Sequence, residues 1–194
     1  MDMHLERISK SARELKIQFD SNKAIHLIQE TCSQLDANLI HRLRLDLSAE
    51  GLLSVKTAVI QNLDPGPVLW ASDLLATDAT MSSTDQLLGH KVTRRQLYDQ
   101  AWLAAEKLGA FDALFMNEQG FVTEGGRSNV FIKKDGQWLT PPLLSGCLPG
   151  VMRSIILKDP NYKAIEQNIT HSDVLNAEEV IFTNALRGIV KTTN

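Results

Sequence analysis

Residues 120–153, GFVTEGGRSNVFIKKDGQWLTPPLLSGCLPGVMR, constrain the fold more than any other part of the chain. FVTEGGRSNVFI reads as a strand, a Gly-rich turn carrying Glu124, and a second strand. KKDGQW reads as a tight hairpin, because Asp-Gly supplies the positive φ that two-residue turns need. TPPLLSGCLPGVMRSIIL is a Pro/Gly-punctuated loop running into a helix, with Leu148-Pro149-Gly150 just before or at its start. The turn gathers small side chains and backbone N–H groups beside one carboxylate. The helix start, where Val151 and Met152 lie, offers further N–H groups and a positive dipole end. That combination suits a ligand with a phosphate and a positively charged group.

Upstream, residues 1–19 carry Leu5, Ile8, Ala12 and Leu15 at helical spacing. Asp20-Ser21 caps a second helix over residues 22–35, with Ile25, Leu27, Ile28 and Leu35 as its buried set. Residues 42–48 alternate strictly as a half-buried strand, and residues 53–60 form its partner. NLDPGP, residues 62–67, is the most linker-like stretch and places a domain boundary between 1–63 and 64–194. A strand is expected over 68–75, a loop over 77–86, an amphipathic helix over 94–108 ended by Gly109, and a buried strand over 112–117. Beyond the central stretch, 161–168 reads as irregular. Ser172-Asp173 opens a short helix, 179–184 is a buried strand, and a turn over 185–188 leads into a last strand.

Bulk properties exclude several classes. A 194-residue chain with 43% hydrophobic and 22% charged residues can build its own core, and a net charge of −3 argues against a general nucleic-acid binder. No apolar run is long enough to span a bilayer and no export leader is visible, so a cytoplasmic protein without membrane contact is expected. Cys32 and Cys147 lack metal spacing and read as two reduced, buried thiols; no metal site is expected.

Lys91 follows the apolar pair Leu87-Leu88 at what reads as a strand-to-helix junction. A lysine there can point inward, lose water and keep a free amine available for an imine. Against this, a lysine flanked by His90 and two arginines reads on residues alone as a solvated charge. Glu124 and the polar residues around it would likewise each pass for ordinary loop residues if taken singly.

Together these segments resemble a known family. TEGGRSNVF, TPPL, GCLPGVMR and FTNALRG are similar to the class IV (fold type IV) pyridoxal-phosphate enzymes, which include branched-chain and D-amino-acid aminotransferases and aminodeoxychorismate lyases. HKVTRRQLYDQAW and EGGRSNVF are most similar to the lyase branch, particularly the form fused behind aminodeoxychorismate synthase component I. The resemblance implies a mixed α/β fold: a small N-terminal α/β domain and a larger, barrel-like domain that binds pyridoxal 5'-phosphate. The family's strand pair ahead of HLERI has no counterpart here, so the small domain is expected to lack its first strands. The resemblance makes Lys91 the Schiff-base lysine and Glu124 the partner of the pyridinium nitrogen. Arg7 becomes a phosphate ligand, Ser128 and Asn129 line the cofactor, and Thr183 with Asn184 forms a second phosphate-side turn. Arg95 falls on the arginine of the HK-x-x-x-R pattern, and Arg94 receives no role. Tyr98 and Arg187 are candidates for contact with cofactor or substrate carboxylate.

The activity implied is a lyase that converts 4-amino-4-deoxychorismate to 4-aminobenzoate and pyruvate. An aminotransferase of the same family is the alternative, and a non-catalytic module of a synthase–lyase fusion is the third reading. A homodimer is implied as well, as is an association with aminodeoxychorismate synthase component I, fused or separate.

Overall fold

The structure is a computed structural model that describes residues 1–61 and 66–192. Most of the stretch read as a linker therefore lies outside the described residues. By its contacts the chain divides into two compact units, Met1–Leu63 and Asp64–Asn194.

In the first unit, α1 spans Asp2–Glu14 and buries Ala12. It stops short of the expected end at residue 19. Lys16 enters the left-handed region at φ 57°, and the Ile17 N–H turns back to the Ala12 carbonyl at 2.8 Å. This is a Schellman-type end, which satisfies carbonyls that a continued helix would have used. Helix α2, Ser21–Ser33, starts where expected: Asp20 accepts from the N–H groups of Asn22 and Lys23 at 3.0 and 3.1 Å. Strand β1, His41–Leu47, pairs antiparallel with β2, Leu53–Val59. Cys32 is exposed on α2, contrary to the expectation of two buried thiols.

The second unit opens with β3, Val68–Trp70, followed by one helical turn, α3, Ala71–Leu74. A strand over 68–75 was expected; Ser72 and Asp73 fit an extended strand poorly and turn the chain instead. Helix α4, Gln96–Lys107, leads to β4, Asp112–Met116. Then come β5, Val122–Gly125, β6, Asn129–Lys134, and β7, Gln137–Thr140. Asp135 and Gly136 join β6 to β7 with φ of 50° and 74°, the positive pair a type I′ turn requires. Helix α5, Val151–Lys158, is followed by a two-residue strand, β8, Ile165–Glu166, inside the stretch read as irregular. Helix α6, His171–Leu175, is capped by Thr170 rather than by Ser172: Thr170 and Asp173 form a reciprocal capping box. Strands β9, Glu179–Asn184, and β10, Gly188–Lys191, complete the unit.

These strands make two sheets, β10-β9-β6-β7-β8 and β3-β4-β5. Val130, Phe131 and Ile132 of β6 are all fully buried because both faces of the larger sheet are covered. Val130 and Ile132 pack with Phe182, Leu114 and Val122 between the sheets. Phe131 and Ile181 face the other way, onto Ile156 of α5. Strand alternation then places Asn129 with Phe131, and Thr183 with Ile181, on the α5 side. Ala101 and Ala105 of α4 are fully buried in the cluster that holds Ala113 and Phe115 of β4. Such small side chains let the helix backbone approach the sheet closely. No helix among the described residues is long and apolar enough to cross a membrane.

Candidate active site

Glu124 is the penultimate residue of β5 and only 7% exposed. One carboxylate oxygen accepts from the Tyr98 hydroxyl at 3.0 Å. The other accepts from the Leu148 N–H at 3.0 Å and the Asn129 amide at 3.2 Å. Burial raises its pKa from the ordinary 4.5 to about 7, opposed by the Leu148 and Tyr98 bonds and by the charges of Lys91 and Arg95. A buried acid held so close to neutrality is poised to take a cationic N–H partner.

The Gly-rich turn after Glu124 is moulded around a residue that the sequence reading passed over. Asp112, fully buried at the start of β4, accepts from the Ser128 hydroxyl at 2.6 Å, the Arg127 N–H at 3.0 Å and the Ala113 N–H at 2.9 Å. A Cβ on Gly125 would lie 2.5 Å from both an Asp112 oxygen and the Ser128 hydroxyl. Glycine is therefore required at 125 by close approach. The Ser128 hydroxyl donates to Asp112 and so supports the turn.

Asn129 joins two parts of the site. Its amide nitrogen donates to Glu124 and also to the Leu148 carbonyl at 2.9 Å. In the β6–β9 pairing it stands directly across from Thr183. Thr183 is 1% exposed, and its hydroxyl has no hydrogen-bond partner among the described residues. On the same side α5 begins, with Gly150 as its N-cap; a Cβ there would meet the Asn129 amide oxygen at 2.0 Å. Val151 and Met152 form the first turn of α5 and are half-buried. Helix geometry leaves their N–H groups without intrahelical acceptors. Arg153, 3% exposed, ties α5 to the Pro141 carbonyl at 2.8 Å and to Glu166.

An orphaned hydroxyl, two first-turn N–H groups and a buried carboxylate thus converge around Asn129. The donors fit a phosphate at one end of a ligand, and the carboxylate fits a protonated ring nitrogen at the other. The residues present therefore match pyridoxal phosphate.

Other expectations change with the structure in view. Lys91 does not follow a strand: residues 86–90 form turns, and α4 starts only at Gln96. Its side chain is exposed rather than desolvated, yet its positive charge acts on Glu124 and favours the carboxylate. Arg95 binds Asp99 at 2.8 Å and donates to the Gly126 carbonyl, joining the lysine segment to the Glu124 turn. Tyr98 is a partner of Glu124, with its ring edge-on to Phe115 at 4.8 Å between centroids. Asn184 turns its carboxamide oxygen onto the N–H groups of Leu186 and Arg187, at 3.0 and 2.8 Å, and so shapes its own turn. Arg187 is half-buried on that turn. Arg7 lies half-buried on α1, in the first unit. Cys147 is buried, and burial pushes its thiol up to about 12.

Comparison with known proteins agrees with this geometry. The family described as "Amino-transferase class IV" matches residues 1–194. A protein of Schizosaccharomyces pombe provisionally named an aminodeoxychorismate lyase is 32% identical over 198 residues, covering 97% of this chain and 80% of its own. A crystal structure of a Mesorhizobium loti protein, provisionally named an amino-acid aminotransferase, superposes with a TM-score of 0.81 at 30% identity. That match covers 99% of this chain and 90% of the other. A fold IV transaminase from Curtobacterium pusillum shares the fold with a TM-score of 0.77 at 21% identity, covering 99% of this chain and 70% of its own. With a family match across its whole length, the chain belongs to the class IV aminotransferases, a family of pyridoxal-phosphate-dependent enzymes of fold type IV.

Proposed function

We propose that the chain is a lyase that converts 4-amino-4-deoxychorismate to 4-aminobenzoate and pyruvate. The observation carrying the cofactor chemistry is the buried Glu124 carboxylate, held by Tyr98, Asn129 and Leu148 within the field of Lys91. The choice of a lyase is supported by the likeness to the Schizosaccharomyces pombe protein over nearly the whole chain.

When bound, pyridoxal phosphate supplies an electron sink for the carbon that bears the substrate's amine. Lys91 is the residue that would hold it covalently. Thr183 and the N–H groups of Val151 and Met152 would receive its phosphate, and the resemblance gives Arg7 a phosphate-binding role as well. Glu124 would accept the N–H of the protonated ring nitrogen, and that cationic partner would draw its pKa down from about 7. The Lys91 amine would also act as general base and remove the proton from the amine-bearing carbon. The electron pair left by that proton expels the enolpyruvyl oxygen, the C–O bond breaks, and the ring becomes aromatic. Lys91, now an ammonium, or a water returns one proton to the departing group, which becomes pyruvate.

An aminotransferase is the second reading, favoured by the likeness to the Mesorhizobium loti structure. It would use the same Lys91 to move a proton between two carbons. A homodimer and association with aminodeoxychorismate synthase component I belong to the first reading and rest on the resemblance; a cytoplasmic location rests on the sequence composition. The test is incubation with 4-amino-4-deoxychorismate, in parallel with branched-chain or D-amino acids plus 2-oxoglutarate. The lyase reading requires equal amounts of 4-aminobenzoate and pyruvate, abolished by Lys91→Ala. Transamination without 4-aminobenzoate would select the second reading. No product in either arm would leave a non-catalytic module.

A further inference from the structure

We infer that Asp85 and Arg94 form a clasp that positions the segment carrying Lys91. This inference rests on the role given to Lys91 above and deepens it. The Arg94 guanidinium donates to one Asp85 carboxylate oxygen at 2.9 Å, and the two residues bracket the lysine. The other carboxylate oxygen accepts from the Leu87 N–H at 2.9 Å. The Asp85 carbonyl accepts from the Leu88 N–H at 3.1 Å, and the Asp85 N–H donates to the Ser82 carbonyl at 2.9 Å. Asp85 is thus the hub of the turns that lead into the lysine, and Arg94 fastens that hub to the far side.

Both ends of the segment are pinned to the scaffold around Glu124. At the start, Ser83 donates its N–H and hydroxyl to the Glu118 carboxylate at 2.8 and 2.5 Å. Met81 donates its N–H to the Met116 carbonyl at 2.9 Å. At the end, Arg95 holds the Gly126 carbonyl. Between these fastenings the chain runs through short-range turns, such as His90 N–H to the Leu87 carbonyl at 3.0 Å. An ion pair across this span removes conformations from the segment that the turns alone would permit. The Arg94 and Asp85 side chains are 63% and 35% exposed, so the pair adds little to global stability. Its effect falls on the lysine, where displacement by about 1 Å is enough to slow chemistry strongly.

The test compares wild type, Arg94→Gln, Asp85→Asn, the double variant and Arg94→Lys. Amide hydrogen exchange over residues 87–92 is followed in the cofactor-free protein, together with the rate at which added pyridoxal phosphate becomes attached in borohydride-reducible form. Either charge-neutral variant should speed exchange and slow attachment by about two- to fivefold, the range expected of an exposed ion pair. The double variant should be no worse than the singles, Arg94→Lys should recover part of the loss, and the thermal midpoint should stay put. High salt should erase the difference from wild type. Exchange and attachment equal to wild type would overturn the clasp. Additive single effects, or a matching drop in thermal midpoint, would also overturn it. If wild type itself attaches no cofactor, the role of Lys91 fails, while the exchange comparison still decides the clasp.

Discussion

Replacing Glu124 by Gln isolates the cost of keeping a carboxylate in this site. The three donors around it suit an amide. Gln can accept from Asn129 and Leu148 through its oxygen and donate to the Tyr98 hydroxyl, so the variant should fold. In wild type, burial lifts the Glu124 pKa from 4.5 to about 7. Between those values the unfolded chain has lost this proton while the folded chain still holds it. Stability therefore falls as pH rises across that window, and levels off above it. At about 1.4 kcal/mol per unit the loss from this one group is about 3 kcal/mol. Urea unfolding of the cofactor-free protein at steps from pH 4.5 to 8 measures it. The Glu124→Gln variant should lack this component, so its advantage over wild type should grow by about 3 kcal/mol across the range. Parallel pH profiles for the two proteins would refute the argument and place Glu124 in contact with solvent or a fixed cation.

Two further outcomes test the neighbouring parts of the site. Thr183→Val removes a buried hydroxyl without a partner among the described residues. The cofactor-free protein should melt no lower, gaining up to about 1 kcal/mol, while affinity for pyridoxal phosphate drops about tenfold; unchanged affinity would remove Thr183 from the phosphate end. Gly125→Ala drives a methyl into Asp112 and Ser128, each 2.5 Å away and held by the other. It should cost about 2–3 kcal/mol in urea unfolding, and a neutral result would mean that the turn can shift.

What the sequence revealed was local or carried by motif. The Asp135-Gly136 hairpin, the Asp20 cap and the end of α4 before Gly109 each depend on a few adjacent residues, and each formed as expected. TEGGRSN was recognisable as a glycine turn beside a carboxylate, but the reason for its first glycine sits in Asp112, more than a helical turn's distance away in the chain and supplied by another strand. Asp112 itself read as no more than the start of an apolar strand. The bond from Tyr98 to Glu124 depends on how α4 lies over the sheet, which no helical period encodes. Leu87-Leu88 suggested a strand before Lys91 because apolar pairs favour one. Asp85 instead captures both N–H groups, and the segment becomes turns. The resemblance makes Ser128 and Asn184 cofactor-side residues; their hydrogen bonds with Asp112, Leu186 and Arg187 run into the scaffold, because short polar side chains readily pair with nearby backbone and buried polar groups.

The pairing of Asn129 with Thr183 also bears on how the chain assembles. The hairpin between β6 and β7 closes over two residues, whereas β9 must return from far along the chain to reach β6. Loop-closure entropy makes the first pairing cheap and the second expensive. The end of the site proposed to take the phosphate therefore forms only once the β6–β9 pairing is made. A vitamin B6 derivative captured there would select the completed sheet from every partly zipped form, and the nutrient would act as a quality check on its own enzyme.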